Sequence, residues 1–189
     1  MPEVGQLPFA GAVLTGGRST RMGTDKAFVE VRGRPMAGRV AAALRAAGAV
    51  EVLAVGGDLE RLPSLGFDRA VSDRHPGEGP LGGVLTALAA AGHEVVVVLA
   101  CDVPAARAES VVAIVQGLGD HDVAVAMTDR REPLHGAWRA SRCLPVLAAA
   151  FERGERAVHR ALALLDVGEV TVADPSTLRS VNRRADLHG

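Results

Sequence analysis

The sequence predicts one α/β domain with three layers, α/β/α, around a mostly parallel central sheet. Three observations carry that reading. Apolar runs and helix-like segments alternate from residue 11 to about 127, the order that right-handed β-α-β crossovers produce. The apolar runs are continuous rather than alternating in polarity, as strands covered on both faces require. Segments rich in glycine, proline and acid follow those runs at 15–26, 56–58, 73–83 and 101–104. They therefore gather at the carboxyl ends of the strands, where open α/β sheets bind ligands. With 189 residues, 48% of them hydrophobic, the chain can bury one sizeable core, and no repeat or linker divides it.

Each element follows from local signals. Residues 11–14 form the first strand, and a glycine-rich loop follows. Residues 28–31 alternate briefly before Gly33 turns the chain. Pro35 suits a first helical position, and 36–47 reads as a helix closed by Gly48. Residues 50–55 form a strand ending in Gly56-Gly57-Asp58, 59–65 a connector, and 69–72 a weaker strand. Pro80 opens a helix to about residue 91, stopped by Gly92. Residues 94–100 are the most hydrophobic stretch and make a central strand that runs into Cys101-Asp102-Val103-Pro104. A helix over 105–118 and a strand over 123–127 follow. From residue 128 the simple alternation stops, and a lobe over the cleft is expected. There, 132–138 is extended, helices over 141–153 and 157–165 flank Gly154-Glu155-Arg156, 169–172 is a strand, and Asn182 caps a short final helix.

Bulk properties exclude several classes. A formal net charge of −1 gives no electrostatic case for nucleic acid or an anionic membrane. Aromatic residues make up 3% with no tyrosine, which leaves little for base stacking. Cys101 and Cys143 lie far apart without metal-ligand spacing and read as reduced thiols of a cytoplasmic protein. The amino terminus lacks the basic-then-apolar order of a signal peptide, and the longest apolar run, 95–101, is too short to span a membrane.

The chemistry concentrates in the first loop. Lys26 is the only lysine among 21 basic residues, the other twenty being arginine. Base composition accounts for most of the arginines; the retained lysine marks a place that needs a compact ammonium on a long stem. Glycines bring peptide N–H groups close to phosphate, and Arg18, Arg21 and Lys26 supply charge. The loop is neither a Walker loop nor Gly-x-Gly-x-x-Gly. Asp102, at the end of a buried strand, can hold Mg²⁺ against phosphates, cap the next helix, or both. Asp73 can contact a ribose or base or simply make a turn. Gly79, Gly82 and Gly83 let the second loop approach a ligand. His135 reads as a hydrogen-bonded structural histidine rather than an acid–base catalyst, and Arg156 as either a clamp for a second anionic substrate or a solvated turn residue.

The stretch from Leu14 to Lys26, Leu-Thr-Gly-Gly-Arg-Ser-Thr-Arg-Met-Gly-Thr-Asp-Lys, resembles the signature L-x-G-G-x-S-x-R-M-G-x-D-K of molybdenum cofactor guanylyltransferases, a MobA-like nucleotidyltransferase family. Gly-Pro-Leu-Gly-Gly at 79–83, Cys-Asp-Val-Pro at 101–104, Pro-Leu-His-Gly-Ala-Trp at 133–138, Gly-Glu-Arg at 154–156 and Val-Asn at 181–182 match further motifs in the family's order. The resemblance implies a Rossmann-like domain of the nucleotide-diphospho-sugar transferase type spanning 1–189, with 128–189 completing the acceptor side. It implies transfer of GMP from GTP to the terminal phosphate of molybdopterin, with release of pyrophosphate. Lys26 and Arg21 would stabilise developing charge, and Mg²⁺ on Asp102 would bridge the triphosphate. Leu14, Thr15, Gly16, Gly17, Lys26 and Asp73 would line the nucleotide site, and Arg156 and Asn182 would face the pterin. Molybdoenzyme maturation proteins are the implied protein partners. Two positions depart from the pattern. Gly56-Gly57 stands where the family often has a base-reading asparagine, and Ser180 replaces the first residue of Asn-x-Asn. The residues by themselves leave open another base or acceptor, such as cytidylyl or sugar-phosphate transfer, and a catalytically silent nucleotide-binding regulator.

Overall fold

A computed structural model of the chain describes residues 8–16 and 25–181. Strand β1 (Phe9–Leu14) is buried along its whole length. A two-stranded hairpin, β2 (Glu30–Val31) and β3 (Arg34–Pro35), then leads into helix α1 (Met36–Ala46). Alternation continues through β4 (Glu51–Val55), β5 (Arg69–Val71), α2 (Pro80–Ala90), β6 (Val95–Ala100), α3 (Ala108–Gln116) and β7 (Val123–Met127). The remainder supplies β8 (Arg131–Arg139), α4 (Ala140–Glu152), α5 (Val158–Ala161) and β9 (Val167–Thr171).

One sheet of seven strands runs in the order β5-β4-β1-β6-β8-β7-β9. β1 pairs in parallel with β4 on one side and β6 on the other. The two faces bury separate apolar clusters. Phe9, Val13 and Leu99 meet Val40 and Leu44 of α1 and Val111 and Ile114 of α3. Leu14, Val96 and Val98 meet Leu81 and Leu85 of α2, Leu147 of α4 and Leu162. Gly11 lets α1 sit close on β1, because a Cβ there would lie 2.9 Å from Leu44 Cδ1.

Over the described residues 128–181 the expected lobe does not form. Thr128 N–H donates to Arg130 O at 3.0 Å and reverses the chain tightly, so β8 returns beside β7 as the partner strand of a hairpin. It then lies antiparallel between β7 and β6, inside the sheet. The β7–β8 register shifts between Val125 and Ala126, skipping from Gly136 to Glu132, and Pro133 falls in that bulge, where no ladder N–H is required. α4 and α5 cover the same face as α2, and β9 closes the edge in parallel with β7. Asn182 lies outside the described residues.

His135 is 3% exposed and neither ring nitrogen has a hydrogen-bond partner, which corrects the expectation of a hydrogen-bonded structural histidine. Strand alternation puts it with Ala137 on the α1/α3 face, opposite Leu99. Burial pushes its pKa down from 6.5 to about 4, against weaker opposite pulls from Glu132 and Asp102. The folded chain therefore keeps this ring neutral where the unfolded chain protonates it. The stability it contributes is present above about pH 6.5 and is lost as pH falls toward 4. Denaturant titration at pH 7 and pH 5 is expected to show a loss of about 2 kcal/mol from this group. His135→Leu should lack that part of the slope; identical slopes in the two proteins would show that the ring is not the source.

Candidate active site

The carboxyl end of β1 is tied to the strands on both sides. Thr15 N–H and Gly16 N–H donate to Val55 O at 2.9 and 3.0 Å, and the Thr15 hydroxyl donates to Gly56 O at 2.8 Å. On the other side, Cys101 N–H donates to Leu14 O at 3.2 Å. Gly56 adopts φ +77°, and a Cβ there would stand 2.9 Å from Gly16 Cα. Glycine at 56 is thus what allows the loops after β1 and β4 to touch.

Lys26 begins a single 3₁₀ turn, Lys26–Phe28, which Asp25 caps by accepting from Ala27 N–H at 3.0 Å. Ala27 is fully buried, so the turn is pinned from below and the lysine is presented from above. Its Nζ lies 3.2 Å from Asp102 Oδ2, with both side chains partly exposed. Asp102 directly follows β6, and its carbonyl accepts from Val181 N–H at 2.7 Å. The second loop supplies Asp73, whose Oδ1 accepts from His75 N–H at 2.9 Å and from the Thr86 hydroxyl at 3.2 Å. Asp73 therefore makes a turn and also faces the cavity. Gly79 takes φ +90° because a Cβ would press on Arg156 O at 3.1 Å.

These groups line one cavity of about 480 Å³, walled by Leu14, Thr15, Gly16, Lys26, Asp73, Gly79 and Asp102 together with apolar residues. All seven were candidates on sequence grounds. A second cavity of about 610 Å³ joins it along Gly16, Asp73 and Gly77 and extends over Gly56, Gly57 and Leu59. Leu134 and Cys101 also line the first cavity; both sit inside matched motifs but carry no chemistry that would single them out. Burial pushes the Cys101 thiol up to about 12, which rules it out as a nucleophile near neutral pH. His135 is not part of the lining.

Arg156 is elsewhere. Its guanidinium donates to Phe151 O at 2.6 Å and Glu78 Oε2 at 2.8 Å and stacks on the Phe151 ring at 3.8 Å. Its carbonyl accepts from Leu81 N–H at 3.2 Å, so it braces the second loop from behind. Gly17, Arg21 and Asn182 lie outside the described residues.

Among the described residues no group of three or more histidine, cysteine or acidic side chains could hold a metal by itself. One strand-end carboxylate beside a lysine instead suits Mg²⁺, which is usually held by one or two carboxylates plus phosphate oxygens and water. The described lining places one cation, Lys26, against two carboxylates, Asp73 and Asp102. A polyphosphate could not bind such a surface without added positive charge.

The chain is similar to known proteins. The chain is 39% identical over 163 residues to a probable molybdenum cofactor guanylyltransferase of Opitutus terrae, covering 82% of this chain and 78% of that protein. It is 31% identical to a counterpart in Bacillus licheniformis, covering 93% and 92%. Among solved structures, molybdopterin-guanine dinucleotide biosynthesis protein A of Archaeoglobus fulgidus superposes with a TM-score of 0.75 at 24% identity, over 94% of each chain. At that identity the likeness speaks for the fold, and the same fold recurs in a CMP-2-keto-3-deoxy-manno-octonic acid synthetase with a TM-score of 0.74 at 18% identity, over 95% of each chain. The match that spans the loops and strand ends described above covers residues 11–167, and by it the chain belongs to the MobA-like NTP transferase domain family.

Proposed function

We propose that the chain is a molybdenum cofactor guanylyltransferase that moves GMP from GTP to the terminal phosphate of molybdopterin. The observation that carries this reading is the Lys26–Asp102 pair, 3.2 Å apart, beyond the carboxyl ends of β1 and β6 in a cavity also lined by Thr15 and Gly16. The curated relatives that bear this name support the choice of reaction.

The transfer requires no protein nucleophile. An oxygen of the acceptor phosphate attacks the α-phosphorus of GTP in line, the bond from that phosphorus to the bridging oxygen breaks, and pyrophosphate leaves with the electron pair. Lys26 donates to the α-phosphate oxygens as charge grows on them, and Arg21 is the second cation in this proposal. Mg²⁺ held by Asp102 would screen the triphosphate and the leaving pyrophosphate. The Lys26–Asp102 contact is partly exposed, so it can be exchanged for phosphate and metal at modest cost. Asp73 and the Gly56-Gly57 backbone face the cavity extension that would take ribose and base. Arg156 and Asn182 are assigned to the acceptor, for which Arg156 would trade its exposed Glu78 partner for an anion. A cytoplasmic site of action and hand-over to molybdoenzyme maturation proteins belong to the same proposal. No helix among the described residues is long and apolar enough to cross a membrane.

Lys26→Arg and Asp102→Ala are each expected to lower the transfer rate by at least about 100-fold with an unchanged circular-dichroism spectrum. Near-normal turnover in either variant would remove that residue from the mechanism. Labelled transfer from GTP, ATP, CTP and UTP to molybdopterin with Mg²⁺ is expected to favour GTP by at least about tenfold. Preference for CTP would replace the guanylyl reading with a cytidylyl one.

A further inference from the structure

A third cavity lies on the α1/α3 side of the sheet, apart from the nucleotide cavity. It encloses about 580 Å³ between the β2–β3 hairpin, the segment 104–107 and the segment 174–181. Four arginines line it, Arg32, Arg39, Arg107 and Arg179, against a single carboxylate, Asp174. That carboxylate accepts at Oδ1 from Ser176 N–H at 3.0 Å and from the Ser176 hydroxyl at 2.6 Å, and keeps its charge, which Arg107 also stabilises.

What distinguishes these arginines is that four of them share one cavity. Many described arginines outside it meet carboxylates, as Arg45 does with Asp68, Arg69 with Glu51, Arg131 with Glu169 and Arg160 with Glu155. Arg39 gives its Nε to Pro104 O at 2.7 Å, which aims the side chain across the groove. Arg32 and Arg179 form no ion pair among the described residues, and Arg107 acts on Asp174 from beyond ion-pair distance. Four guanidinium groups around one space repel each other unless an anion joins them. Apolar residues Val31, Pro104, Ala105 and Val181 line it beside the hydroxyls of Ser176, Thr177 and Ser180, and the volume is that of an organic ligand rather than a bare ion.

The groove also adjoins the reaction centre. Asp102 faces the nucleotide cavity and Pro104 the groove, two residues or at most about 7 Å along the chain. Val181, on the groove wall, donates its N–H to the Asp102 carbonyl.

We propose that this arginine-lined groove is a second anion site, which holds a phosphate-bearing ligand of the transfer reaction. Two such ligands exist on the proposed function, on which this assignment rests: the acceptor and the released pyrophosphate. Binding itself is testable without turnover. Calorimetric titration of the Lys26→Ala protein with inorganic pyrophosphate is expected to retain one site. Adding Arg107→Ala and Arg179→Ala should weaken that site at least about tenfold, the scale of one lost charge-assisted hydrogen bond. Superimposable titrations would overturn the proposal. The side chains of the two arginines make no hydrogen bond to the described residues, and their backbone bonds, Val111 N–H to Arg107 O and Arg179 N–H to Ser176 O, survive the change to alanine, so unchanged thermal melting is the accompanying control. In the Arg107→Ala/Arg179→Ala enzyme, a KM for molybdopterin raised about tenfold at a steady KM for GTP assigns the groove to the acceptor. Weakened pyrophosphate inhibition at a steady acceptor KM assigns it to the product. If neither constant moves, the link to the transfer is overturned. A wild-type chain without guanylyl transfer would sink the proposed function while leaving the calorimetric result to stand by itself.

Discussion

The site depends on the hydrogen bonds that hold the end of β1 between two parallel neighbours. Val55 O takes the N–H groups of Thr15 and Gly16, and Leu14 O takes that of Cys101. Parallel pairing forces all three strands to end on one side of the sheet, so the segments after them converge without any further device. The same constraint makes helices cover both faces, and the two apolar clusters supply that cover. Little of this geometry is stored in the loops themselves. It is carried by strand register, Leu14 opposite Val55 on one side and Ala100 on the other.

Charge in the cavity is arranged for exchange rather than for stability. A lysine and an aspartate a quarter and less than a fifth exposed contribute little to folding, because solvent screens them and ordering both chains costs entropy. Their value lies in what replaces the contact. A triphosphate brings several negative charges to a described lining that holds one lysine and two aspartates. On the proposed reading, Mg²⁺ and the arginines of the glycine loop must close that gap, and Lys26 releases Asp102 as they do. The arginine groove shows the opposite balance, four cations to one carboxylate, which is why the two cavities suit different ligands.

Much of this was legible in the sequence because it is local. Continuous apolar runs gave β1, β4, β6 and β7 to within two or three residues, Pro80 and Gly92 bracketed α2, and the lone lysine singled out Lys26. Seven candidate residues met in one cavity because each ends a strand, follows one or sits in the segment beyond it. What escaped notice is non-local. The extended segment 132–138 is β8, but its place between β6 and β7 comes from a hairpin and a bulge that no periodicity records. The groove draws its arginines from residues 32, 39, 107 and 179, which nothing in the linear order connects. Nor does the sequence say that Arg156 is already satisfied by Glu78 and Phe151.

The departure at Gly56 bears directly on base choice. An asparagine there would do more than add an amide: its Cβ would sit 2.9 Å from Gly16 Cα, inside the contact that joins the two loops. The chain has therefore exchanged a side chain for a closer backbone. Base selection, on the proposed reading, falls to peptide groups of residues 56 and 57 and to the Asp73 carboxylate, which faces both cavities. Guanine presents adjacent N1–H and N2–H donors, which a carboxylate or a pair of carbonyls can accept together, whereas cytosine offers a single exocyclic donor beside acceptors. On the proposed reading, the oxygen acceptors among the described residues there suit the guanine pattern. The glycine at 56 would then narrow the means of recognition without reversing its preference.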